Sequence, residues 1–146
     1  MGYNNAYSAY KDINVKTASQ GRLIVLLYEE AVKQLTLASS LFDTSGDIPV
    51  KNIENFGKAI MKAQEIITEL QVSLNMEKGG EIAKNLMALY IFFNKELTDA
   101  NIKKDKSKID STLKMMKDLC ESWRQASESS ANAPAATIRQ SVNIEG

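Results

Sequence analysis

Apolar residues recur along most of the chain at alternating steps of three and four, the period of a helix. After Ser19, Ile24, Leu27, Ala31, Leu35, Ala38 and Phe42 form one stripe, widened by Leu23, Leu26, Leu37 and Leu41. A stripe this broad implies contact with more than one neighbour. Ser19 is a good N-cap residue, so the spacing predicts a first helix over about residues 19–42. "DTSGD" then breaks the pattern with turn residues. Asp47 as N-cap and Pro49 in the first turn open a second helix carrying Ile53, Phe56, Ile60, Ala63, Ile67, Leu70 and Leu74. "NMEKGG" ends it, with Gly79 or Gly80 supplying the positive φ that closes a helix. A third helix carries Ile82, Leu86, Leu89, Phe93, Leu97 and Ala100, and its lysine-rich end suits the negative helix terminus. A fourth carries Ile109, Leu113, Met116, Cys120 and Trp123, capped by Asp105 or Ser107. Beyond Ala126 the residues are small and polar, and a flexible tail is expected.

Long helices with short links favour an antiparallel up-down bundle. The fold expected is therefore all-α: a four-helix bundle over residues 19–126, an N-terminal capping segment over 1–18 and a C-terminal tail over 127–146. Several apolar residues are surplus to one core stripe per helix. On the second helix these are Ala59, Met61, Ile66 and Val72; on the third, Met87, Tyr90, Ile91 and Phe92; on the fourth, Met115. Clustered apolar surplus suggests a partner surface, and methionine suits a groove that adapts to its occupant. The groove is placed at Ala59, Ile66, Met87, Tyr90 and Ile91, so a charge at Ile66 or Ile91 is expected to leave the bundle folded.

Charge and composition narrow the chemistry. Basic and acidic residues balance at 18 each, whereas a nucleic-acid binder normally carries a basic excess. No apolar run approaches the about 20 residues that span a bilayer. Cys120 is the single cysteine, so an internal disulfide framework is excluded, and its place on the core stripe makes it a buried thiol. Histidine is absent, which removes histidine-based triads and the Glu-x-x-His metal sites of helical bundles. No carboxylates converge at helical spacing, and no glycine-rich phosphate loop occurs. The expectation is a protein that is not an enzyme and has no metal, cofactor or small-molecule substrate. The opening, "MGYNNAYSAY", holds Tyr3, Tyr7 and Tyr10 at helical spacing, with no charge among them. It lacks the basic start and apolar run of a secretory signal.

Three stretches resemble one known family. "NAYSAYKDINVKTASQGRLIVLLYEEAV", "KAQEIITELQVSLNMEKGGEIAKNLMALY" and "ELTDANIKKDKSKI" followed by Trp123 are similar, in order, to the flagellin export chaperone FliS, over roughly residues 5–126. The resemblance implies an antiparallel bundle that binds the C-terminal segment of newly made flagellin in the bacterial cytoplasm. It would prevent premature polymerisation and deliver the client to the flagellar export gate. It also implies that the N-terminal segment lies over the client groove and docks at the gate, which assigns lid and docking roles to Tyr7 and Tyr10. A general helix-binding adaptor that sequesters a regulatory protein is the alternative. The chain departs from the family pattern at Gln20, Gly21 and Arg22 after Ser19. It departs again at Ile91, where an acidic residue is common.

Overall fold

A computed structural model describes residues 20–132. Four α-helices follow one another: α1 (Gln20–Ser40), α2 (Ile53–Ser73), α3 (Met76–Lys103) and α4 (Lys106–Asn132). A 3₁₀ turn at Val50–Asn52 precedes α2, and no strand occurs among the described residues. The expectations for residues 1–19, including Tyr7 and Tyr10, and for residues beyond 132 lie outside the described residues.

Each helix packs on two neighbours, α1 on α2 and α4, α3 on α2 and α4. Polar contacts between adjacent helices run in opposite senses of chain number. Ser39 meets Asp110 and Glu29 meets Arg124, while Gln64 meets Thr98 and Gln71 meets Met87. The bundle is therefore antiparallel, as the short links require. Its interior is filled by Leu35, Phe56, Ile60, Ile67, Leu70, Phe93, Leu97, Ile109 and Met116, with Ala31, Ala38, Ala63 and Ala100 between them. Alternating large and small side chains let helices interlock at the density of a close-packed interior.

The element boundaries are set by local hydrogen bonding, and several differ from the periodic reading. Asp43 organises the first link: its Oδ1 accepts from the Ser45 and Asp47 amides and from the Ser45 hydroxyl. Asp47 is held in that turn and does not cap α2, which begins at Ile53 after the 3₁₀ turn. α2 ends at Ser73, and "NMEKGG" belongs to the next helix. Asn75 caps α3 by accepting from the Lys78 amide. Gly80 does adopt positive φ, at φ 54° and ψ −133°, but it interrupts α3 after its first turn and closes nothing in α2. A Cβ on Gly79 would lie 2.5 Å from that of Ala83, so the break needs both glycines. Asp105 caps α4 through the Ser107 amide and hydroxyl. α4 then continues to Asn132, past the expected boundary at 126. No helix among the described residues is long and apolar enough to cross a membrane.

Candidate functional site

Of the five residues placed in a groove by sequence, three are interior. Ala59, Ile66 and Tyr90 are 1, 0 and 1 % exposed, so none of the three is surface. The reason is geometric. α2 lies between α1 and α3, and a helix with two neighbours buries an arc wider than one stripe; the surplus at Ala59 and Ile66 is the second half of that arc. Tyr90 is held inward by its hydroxyl, 2.5 Å from that of Tyr28 on the diagonally opposite helix. Trp123 of α4 is partly buried against the same core cluster. Burial pushes the Tyr90 hydroxyl up to about 12. Tyr28 is raised further, first by burial and then by the charge Tyr90 would carry. Both therefore stay neutral, and they tie α1 to α3 across the core.

Met87 and Ile91 do reach the outer surface of the α2–α3 pair, Met87 half-buried and Ile91 exposed. Met61, Gln64, Thr68 and Val72 follow at steps of three, four and four on α2. Met87, Ile91, Asn94, Thr98 and Ile102 follow at four, three, four and four on α3. Helical spacing makes each set one stripe. The side-chain contacts bring the stripes together: the Gln64 amide donates to the Asn94 carbonyl at 3.1 Å and the Thr98 hydroxyl at 2.8 Å, and Gln71 donates to the Met87 sulfur at 3.5 Å. Met61, Val72, Ile91 and Ile102 are 59, 74, 54 and 73 % exposed. Neither stripe contains a formal charge. The polar seam escaped the sequence reading, although Gln64, Thr68 and Gln71 beside an apolar stripe were its signal. Phe92 and Met115 are exposed too, off these two stripes.

Two charged surface features are matched from within. A groove of about 280 Å³ between α1 and α4 is lined by Glu29, Val32, Lys117, Cys120, Glu121 and Arg124. Arg124 bridges it, 2.9 Å from Glu29 and 2.5 Å from Glu121. Cys120 is buried, and that burial raises its thiol pKa, which suppresses the reactive thiolate. The lysine run at the α3–α4 corner is likewise paired: Lys103 with Asp99, Lys106 with Asp110, Lys108 with both Glu96 and Asp99. Lys104 bonds Asn101 and stands over the Phe56 ring. Among the described residues no cluster of three potential metal ligands occurs.

Fold and surface together define a class: a small antiparallel helical bundle that presents a partly apolar outer face. The family described as flagellar protein FliS matches residues 3–130. The flagellar secretion chaperone FliS of Vibrio cholerae is 33 % identical over 134 residues, covering 89 % of this chain and 94 % of that one. Its namesake in Bacillus subtilis is 33 % identical, covering 88 and 91 %, and that of Salmonella typhimurium is 34 % identical, covering 91 and 93 %. The chain belongs to the FliS family of flagellar secretion chaperones.

Proposed function

We propose that this protein binds the C-terminal segment of newly made flagellin in the cytoplasm, prevents its premature polymerisation and delivers it to the flagellar export gate. Family membership supports the role. The observation in this chain that carries it is the α2–α3 face, where Met61, Val72, Ile91 and Ile102 stay exposed on two stripes without charge. A chain segment that must be held and then released needs complementary surface, and an amphipathic helix laid into an apolar groove supplies it. Folding of the client on this surface would bury about 1,000–3,000 Å². The client surface is drawn here through Met87 and Ile91, with Met61 and Val72 beside them. Ala59, Ile66 and Tyr90 are buried and form no part of that surface. Tyr7 and Tyr10 are proposed to cover this face when no client is bound and to dock at the gate.

Titration calorimetry with a synthetic C-terminal flagellin segment tests the proposal, with an unrelated amphipathic helix as control. The flagellin segment is expected to bind and the control to bind far more weakly. Ile91→Asp is expected to weaken the flagellin complex by more than about tenfold. Equal affinity for both peptides would remove flagellin as the specific client.

A further inference from the structure

Asn94 lies at the middle of the outer face, and its side chain is left unmatched. Its Oδ1 is the one buried side-chain oxygen or nitrogen without a hydrogen-bond partner among the described residues. Its amide nitrogen reaches only the Thr68 hydroxyl, at 3.5 Å. Turning the amide over does not cure this. The Thr68 hydroxyl already donates to the Gln64 carbonyl at 3.0 Å, so it has no hydrogen left for an oxygen placed there. The Gln64 amide is also spent, on the Asn94 carbonyl and the Thr98 hydroxyl. A buried acceptor without a donor destabilises the free chain, and such groups in native proteins call for an explanation.

We propose that Asn94 is a client-binding residue of this face, whose side-chain oxygen accepts a main-chain N–H of the bound segment and so fixes where the backbone crosses the face. This rests on the flagellin reading above. The missing partner is a donor, and the side chains that surround Asn94 on the two stripes, Thr68, Ile91 and Thr98, are neutral, with the Glu65 carboxylate one turn from Thr68 on α2. A main-chain N–H is the donor that a client segment offers at nearly every position, whatever its side chains. Within a helix, N–H groups beyond the first turn are already taken by carbonyls. The client therefore crosses Asn94 as extended chain or as the first turn of a helix. Its apolar side chains then flank that crossing, on Ile91 and Met87 to one side and Ile102 and Met61 to the other. Oδ1 is buried in the free chain, and turning it outward to meet the client breaks the 3.5 Å contact to Thr68.

The test is a scan of the synthetic flagellin segment in which single amides are replaced by esters, each deleting one N–H. Every peptide is titrated into the full-length wild type, Asn94→Leu and Asn94→Ala. One ester position is expected to weaken binding to the wild type about tenfold and to either variant less than about twofold. The free variants are expected to melt at or above the wild-type temperature, because an unpaired acceptor has been removed. Ester effects that are the same in wild type and variants overturn the assignment of Asn94. So do variants that melt lower while binding the unmodified segment as tightly as the wild type. A wild-type chain that takes no flagellin segment at all overturns the flagellin reading instead, and the assignment falls with it.

Discussion

Ile66 and Ile91 are both isoleucines on helices that border the same face, yet they differ completely in exposure, 0 against 54 %. Truncating a fully buried isoleucine removes its transfer energy and leaves a cavity, so Ile66→Ala is expected to destabilise the fold by about 2–5 kcal/mol. Ile91→Asp is expected to change stability by less than about 0.5 kcal/mol, the range for surface substitutions. Urea titrations followed by circular dichroism check both, and an Ile66→Ala chain as stable as the wild type would remove Ile66 from the core. The distinction was not legible in sequence, since both residues lie off the principal stripe of their helix. Which of two off-stripe residues is covered depends on the side from which the second neighbour approaches. Cys120 was legible, because it lies on a principal stripe whose inward direction is unambiguous.

At the scale of the helix, the glycines make opposite predictions. Gly80 interrupts α3 at positive φ, where a side chain is strained, so Gly80→Ala is expected to lower stability by about 1–3 kcal/mol. Gly57 lies within α2, and a Cβ there meets nothing within 4 Å. Gly57→Ala is therefore expected to raise stability by about 0.5–1 kcal/mol. Thermal melts of the two variants decide the matter, and a shift in the same direction would contradict it. The number and order of helices were legible from periodicity, because burial of one face demands it over many residues. The ends were less so. Asp47 has the composition of an N-cap, but its backbone already closes the turn with Asp43. Asn75, within a stretch that reads as a helix stop, turned out to be a helix start. Caps are chosen by competition among nearby polar groups, and a local pattern does not show which one wins.

For the whole molecule, the buried tyrosines set an alkaline limit. Both hydroxyls keep their protons in the folded chain and return on unfolding to an ordinary value near 10. The unfolded state therefore loses protons first as pH rises. Stability is full below pH about 10 and falls between about 10 and 12, by about 1.4 kcal/mol per pH unit for each tyrosine. Chemical denaturation across that window measures the slope, and Tyr28→Phe is expected to reduce it; an unchanged slope would show that the pair does not govern the transition. Deleting residues 1–10 probes the proposed lid. Affinity for the isolated flagellin segment is expected to rise or hold while docking at the export gate falls, as read by calorimetry and by pull-down of gate components. A loss of client affinity would make the leader part of the client site. The sequence by itself determined that the fold is a helical bundle, which stripes turn inward and that the chemistry of histidine is unavailable. These follow from periodicity and composition, which need no knowledge of neighbours. Only the tertiary structure decided that Ala59, Ile66 and Tyr90 are interior and that Gln64, Thr68, Asn94 and Thr98 meet as an uncharged seam. Those facts depend on which helices are adjacent and in what register, and they exist only once α2 and α3 lie side by side.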